Sequence, residues 1–402
     1  MSRDDPSGTA PAESESTGSA DTPSSAFDPV SFLETAVQRP SHEDIGPMRE
    51  LLCETLEANG VDPRVDEHGN VLATRGSADA DAHVVLNTHI DTVSPHVPFE
   101  REIDGRDGYP ETDGEIICGR GSCDAKGPLA AMLAAFFAVD LSSGAGRVTL
   151  AITPDEEVLS IGAYELVSSA DSPTRDADAV IVGEPTDLDV CTAAKGRFQG
   201  TIHLTGANAH AAEPETGINA VAALEPVLET IRTFDERDDA PPTHLQLGEA
   251  TLTPTVVSGG EATNQVPADC ALTVDRRSVP PETAEDFHAA LTDRLEVAVP
   301  AGVGVEFRFT DRPTPFLEAW DTDPDARIVD VLADAAGGAV RPFSAATEAS
   351  YFAQDAPTVV FGPGVLADEN GAVAHAPREY VRIEAVREAA RALEETLQTV
   401  LE

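Results

Sequence analysis

The chain has 402 residues, 72 of them Asp or Glu and 26 Lys or Arg, for a formal net charge of −46. That balance excludes binding to nucleic acid through phosphates, which needs cations on the protein, and the length exceeds what one ordinary core fills, so two domains are expected. Apolar residues make up 41%, enough for a folded protein rather than an acidic disordered one. The only lysines are Lys126 and Lys195. Self-repulsion of this size opposes folding at low ionic strength. In molar salt the screening length falls to about 3 Å and the penalty largely disappears. The surface therefore reads as that of a protein from a salt-rich cytoplasm. Five cysteines (Cys53, Cys118, Cys123, Cys191, Cys270) fit no disulfide framework or zinc ribbon. No apolar run reaches the length of a membrane span.

Residues 1–26 are rich in Ser, Thr, Ala, Pro and acid, lack an apolar centre, and read as a disordered tail rather than a secretory signal. In "IGPMRELLCETLEANG", Ile45, Met48, Leu52 and Leu56 recur at helical spacing, and Gly60 can end the helix. "HVVLNTHID" (83–91) is an apolar strand ending in polar residues. "KGPLAAMLAAFFAV" (126–139) is an apolar helix with Pro128 in its first turn. "VTLAITPDEE" (148–157) and "DAVIVGEPT" (178–186) are again short buried strands ending in acid. Strands alternating with helices predict an α/β fold, a mostly parallel sheet flanked by helices. Ligands bind outside the carboxyl ends of such strands, where His89, Asp91, Glu156, Glu157 and Glu184 fall.

The middle of the chain differs. Strand 196–206, helix 217–234, strands 252–260 and 268–278, helix 283–299 and strand 303–309 suggest a compact α+β unit. The α/β character returns after about Pro313, with "PTVVFGPG" (357–364) and an amphipathic helix over 383–401. The expected organisation is a catalytic domain, 27–194 plus 311–402, interrupted by an inserted domain, 195–310.

Asp155, Glu156 and Glu157 stand side by side, and like charges destabilise one another unless a cation or a shifted proton compensates. His89, Asp124, Glu157, Glu184 and His375 supply two imidazoles and three carboxylates suited to a pair of divalent ions such as zinc, with cobalt or manganese also compatible, and such ions would neutralise the crowded acids. Each piece alone is weak, since an H-x-D triplet is common and an isolated Asp-Glu-Glu is usually a solvated turn.

The segments "NTHIDTV", "GRGSCDAKGPLAAML", "TPDEEVLSIGA", "IVGEPT", "GANAHAAEPETGINAV", "ATNQVPADCALTVDRRSVP" and "FGPG…AHAPREYV" occur in the order seen in a known family. They resemble the dinuclear-zinc amidohydrolases: acetylornithine deacetylase, succinyl-diaminopimelate desuccinylase, aminoacylase and glutamate carboxypeptidase. The resemblance covers about residues 30–400. It implies a zinc-peptidase-like catalytic domain and a ferredoxin-like inserted domain that forms a homodimer. Asp124 would bridge two Zn2+ ions, His89 and Glu184 would complete one, and Glu157 and His375 the other. Asp91 would fix the tautomer of His89, and Glu156 would be the general base. Neighbouring glutamates on extended chain point opposite ways, which would separate their tasks. Asp155 is read as a hydrogen-bond partner of nearby backbone.

His210, in a segment that reaches the partner subunit's site in the family, would stabilise the oxyanion. Asn264 and Arg277 match substrate-binding positions of the family, and Arg277 would hold a substrate carboxylate with two parallel hydrogen bonds. Glu348 in "AATEASYF" (345–352) would read a positive group on the substrate or support His375. A close backbone contact is the expected role of Lys126. The same segment and "FGPG" point to the deacetylase branch, so N-acetylornithine is the best single substrate. The desuccinylase, dipeptidase and carboxypeptidase activities would use the same metal ligands. A metal-binding scaffold without catalysis would lack Glu156 or a ligand, and here all are present.

Overall fold

The computed structural model describes residues 27–102, Tyr109 and 114–402. The acidic tail expected over 1–26 lies outside the described residues. The central sheet is mixed. Its main strands are β1 (Val71–Gly76), β2 (Ala82–His89), β3 (Gly146–Thr153), β4 (Ala179–Val182) and β5 (Val190–Ala194). A four-strand parallel centre runs β3, β2, β4 and then Thr358–Val360, while β1 pairs antiparallel with β3. The parallel strands are nearly continuous Val, Leu, Ile and Ala, as burial on both faces demands.

Helices cover both faces. On one, α1 (Pro29–Val37), α2 (Lys126–Ala138) and the long Ile383–Val400 helix share a core with Val84, Leu86, Leu150 and Ile181. On the other, Ile161–Ser168 and Ala349–Phe352 pack on Val85, Val180 and Val360. Helix α2 is buried from Lys126 to Leu133, which explains its apolar sequence. The Lys126 ammonium donates to the carbonyls of Ala36 and Arg39, at 3.1 and 2.7 Å, at the end of α1. That is the backbone contact expected for it.

Residues 198–309 build a second, antiparallel sheet. Its strands are β6 (Phe198–Thr205), β7 (Thr251–Gly259), β8 (Asp269–Arg277) and β9 (Gly304–Phe309), in the order β7-β8-β6-β9. Helices Leu224–Arg232 and Ala284–Ala298 cover one face around Phe198, Phe234, Phe287 and Phe307. Strand β8 alternates inward and outward, so Arg276 is buried and Arg277 faces the other side. Arg276 is enclosed by Asp235 and Glu282, with four contacts of 2.8 Å.

Several boundaries differ from the sequence expectations, and the differences matter at the site. The strand expected over 148–157 ends at Thr153, and 156–159 form a turn. The strand expected over 178–186 stops at Val182. In both places the chain leaves the sheet where acidic side chains begin, because buried ladder positions do not accommodate them. The helix expected over 217–234 starts at Leu224; Ile218 is instead bridged to Ala207.

Candidate active site

Parallel β2, β3 and β4 end side by side, and the site is assembled at those ends and in the loops just beyond. His89 is the last residue of β2 and is fully enclosed. Its Nδ1 faces Asp91 Oδ1 at 3.2 Å and the Asp91 carbonyl at 3.1 Å; its Nε2 lies 3.2 Å from Asp124 Oδ1. The Asp91 carboxylate also accepts the backbone N–H groups of Glu156 and Glu157, each at 3.1 Å. One side chain therefore orients the imidazole and holds the acidic turn. Asp155 closes that turn, accepting N–H from Ile161 and Gly162 at 2.7 and 2.9 Å, as anticipated. Because the turn is not extended, Glu156 and Glu157 diverge through turn geometry rather than strand alternation.

Asp124 stands just before α2. The backbone N–H groups of Gly121, Cys123 and Asp124 all donate to Glu379 Oε1, at 2.8, 3.1 and 3.2 Å. Glu379 Oε2 accepts from Arg120 Nη1 at 2.6 Å, and both side chains are buried. Sequence reasoning missed this pair. The signal was its position inside two motifs, "GRGSCD" and "PREYV", which carry a buried cation and a buried anion 259 residues apart.

Glu184 lies just past β4 and accepts the Thr347 hydroxyl at 3.1 Å. His375 has a left-handed φ of 63°, strained for a residue with a Cβ and a feature that clusters at functional sites. Its Nε2 lies 3.2 Å from Asp124 Oδ2 and 3.0 Å from Glu157. Two donor triads result, His89–Asp124–Glu184 and Asp124–Glu157–His375, each with its donor atoms within 4.8 Å of one another. Asp124 belongs to both and offers a different oxygen to each imidazole.

The electrostatics favour cations. Burial and then the charge of Asp124 push the Glu184 carboxyl up to about 8. Burial and then Glu184 lift Glu156 well above the carboxylate range. Burial works the same way on Asp124, yet hydrogen bonds from His375 and His89 hold it low. Those to Asp124 and Glu157 raise His375 to about 10. So many enclosed carboxyl groups are costly when nothing positive stands among them. Five hard donors in two triads sharing a carboxylate fit a pair of divalent ions.

A cleft of about 410 Å³ opens over this cluster and is also lined by Arg197, Gln199, Thr310, Arg312 and Phe316. The remaining expected residues stand elsewhere. Glu348 is buried, accepts the Thr153 hydroxyl at 2.7 Å, and makes no hydrogen bond to His375. Its other oxygen, Oε1, is buried with no hydrogen-bond partner among the described residues. His210 and Asn264 come together at the end of the second sheet, where His210 pairs with Gln265 and the Asn264 carbonyl accepts Ala211 N–H at 2.9 Å. Neither lines the cleft of its own chain. Arg277 occupies a separate hollow with Lys195, Gln246 and Ser344, and its Nε donates to Asp275 at 2.7 Å.

Comparison with known proteins adds three findings. The model of peptidase family M20/M25/M40 matches residues 85–399. Among curated relatives, an acetylornithine deacetylase of Photorhabdus laumondii is 28% identical over 78% of each chain. A protein of Pyrobaculum aerophilum described as a LysW-lysine/LysW-ornithine hydrolase is 34% identical over 63% of this chain and 67% of its own. Among solved structures, the aminopeptidase PepT of Bacillus cereus superposes with a TM-score of 0.73 at 19% identity, covering 93% of this chain and 98% of the other. A dinuclear metal binding peptidase of the M20 family from Bacillus subtilis gives 0.65 at 14% identity, covering 93% and 97%.

Proposed function

The chain belongs to peptidase family M20/M25/M40, and on that premise we propose that it is a two-zinc amidohydrolase that cleaves the amide bond of an N-acyl amino acid, N-acetylornithine foremost. The observation that carries this reading is the pair of donor triads sharing Asp124 at the floor of a cleft. Deacetylase relatives at 28% and 29% identity support the acyl amino acid class.

His89, Asp124 and Glu184 would hold one ion, and Asp124, Glu157 and His375 the other. When bound, such ions polarise a carbonyl oxygen and bring the acidity of water near neutrality. Glu156 takes the proton of the attacking water and delivers it to the leaving nitrogen. Asp91 accepts a hydrogen bond from the Nδ1–H of His89 and leaves the Nε2 lone pair available to a metal ion. Glu379 anchors the three N–H groups around Asp124 and so fixes the shared carboxylate.

His210 is exposed in its own chain, so a second copy would supply it to this cleft. Strand β7 supports such a homodimer. It is an edge strand paired on one side only among the described residues, and Val256 and Val257 are 62% and 60% exposed. A second substrate reading, removal of a larger acyl group from ornithine or lysine, is favoured by the Pyrobaculum relative. No helix among the described residues is long and apolar enough to cross a membrane.

The test is amine release at molar salt from N-acetylornithine, N-succinyl-diaminopimelate, N-acetylmethionine and dipeptides. Chelator should abolish it and zinc restore it. Glu156→Gln should retain metal and lose roughly 100-fold or more in kcat. A variant that keeps the full rate would refute the assigned base.

A further inference from the structure

The cleft that holds the metal-binding residues is also lined by two guanidinium groups, Arg197 and Arg312, that the proposed mechanism leaves without a task. Arg312 lies just beyond β9, where the chain leaves the antiparallel sheet. Its Nη2 donates to Thr314 Oγ1 at 2.8 Å, and that hydroxyl donates to the Leu159 carbonyl at 2.9 Å. Its guanidinium also sits 5.0 Å from the centre of the Phe316 ring. These contacts pin it beside the turn that bears Glu156 and Glu157.

Despite that anchoring, Arg312 is electrostatically unsatisfied. Its Nε is buried and has no hydrogen-bond acceptor among the described residues. No carboxylate of the described residues lies within 4 Å of it, although the chain holds 72 acidic residues. Asp311, next in sequence and also lining the cleft, forms an ion pair with neither arginine. Arg197 has only a loose partner, Asp275 at 3.5 Å from its Nε, and its side chain is 54% exposed. Burial first, and to a lesser extent the charge of Arg197, lowers the affinity of Arg312 for its proton. Two cations lining one cleft with free donors form a fork suited to a carboxylate. The other arginine considered for this task, Arg277, is engaged by Asp275 in a different hollow.

We propose that Arg312, with Arg197 beside it, is the specificity determinant that receives a carboxylate of the substrate while the scissile amide lies against Glu156. This rests on the amidohydrolase reading. An N-acyl amino acid offers such a carboxylate on its amine half, and a dicarboxylic acyl group offers one on its acyl half.

The test uses the zinc-loaded full chain in molar potassium chloride. The substrates are N-acetylornithine, its α-carboxamide, and the α-carboxamides of N-succinylornithine and N-butyrylornithine. Arg312→Gln should raise KM roughly 10- to 100-fold for the carboxylate-bearing member of one pair, as expected for losing a charged hydrogen bond. It should leave kcat within about threefold and the uncharged counterpart unchanged. Arg312→Lys should recover part of the loss. Sensitivity in the first pair assigns the amine half, and in the second the acyl half. Equal losses for charged and uncharged members, or no loss in either pair, would overturn the assignment. Absence of turnover by the wild type would count against the amidohydrolase reading alone. Calorimetric binding of succinate then decides the Arg312 site: at least 10-fold weakening by Arg312→Gln supports it, and unchanged binding overturns it.

Discussion

Asp91 makes the most informative single perturbation, because its two oxygens hold three groups at once. Oδ1 faces His89 Nδ1 and the Glu156 N–H, and Oδ2 faces the Glu157 N–H. Asp91→Asn keeps the volume and one acceptor oxygen, but turns an NH2 group toward at least one of those donors. The loss is at least one hydrogen bond to a charged group, about 1.5–3 kcal/mol, and a buried N–H is left facing another. That converts to roughly 10- to 150-fold, in the range seen when groups behind a metal ligand are changed. The expected outcome is a 10- to 100-fold fall in kcat/KM for amine release. Zinc affinity should weaken together with it, since the substitution loosens His89 and the Glu157 turn. The assay is steady-state kinetics alongside zinc titration of the chelator-stripped protein, with a thermal melt to establish folding. A folded Asn variant within twofold of wild type in both rate and zinc affinity would show that Asp91 neither orients His89 nor holds the turn.

Glu379→Gln should destabilise the protein by about 3–5 kcal/mol in denaturant titration, because it leaves the Arg120 guanidinium buried without its anion; a loss under about 1 kcal/mol would contradict that role. Asp368 accepts from Arg378 Nη1 and from the Tyr380 hydroxyl, both at 2.9 Å, and its carboxyl is drawn from 3.8 down to about 2, first by Arg378. A depressed carboxyl stabilises above its unfolded value and loses that contribution as pH falls through the folded one. The melting-temperature gap between wild type and Asp368→Asn should therefore be constant above about pH 4 and close as pH approaches 2; a gap independent of pH would sink the linkage. Val257→Lys on the exposed edge β7 should convert a dimer to monomer in light scattering and abolish turnover, whereas a fully active monomer of the wild type would remove the need for a second subunit. With a net charge of −46 the melting temperature should fall from molar potassium chloride to dilute buffer, and equal values would exclude charge repulsion as a factor.

The α/β sheet and the gathering of His89, Glu157 and Glu184 at one end of it were legible because both rest on local features, whereas the metal roles of Asp124 and His375, which lie outside the strands, came from the family resemblance. An apolar strand that stops at a polar residue marks a sheet end, and ends of parallel strands meet whatever loops connect them. What was not legible depends on contacts with no local spacing. Asp91 reads as a partner for one imidazole, yet its hold on the acidic turn spans 65 residues of sequence. Arg120 and Glu379 each sit inside a motif, but they are 259 residues apart and nothing local pairs one with the other. Glu348 reads as a contact of the substrate or of His375, and in the fold one of its oxygens accepts from Thr153 while the other is buried without a partner among the described residues. Arg277 and Arg312 show the same limit from opposite sides. Both are arginines near a prolyl turn, and sequence favours the first. The fold closes Arg277 onto Asp275 and leaves Arg312 facing the cleft without a carboxylate. Which cation is spent inside the protein, and which is left for a ligand, is decided by three-dimensional pairing. In a chain so rich in acid, the arginine that stays unpaired beside the site carries more functional information than the one whose motif is better matched.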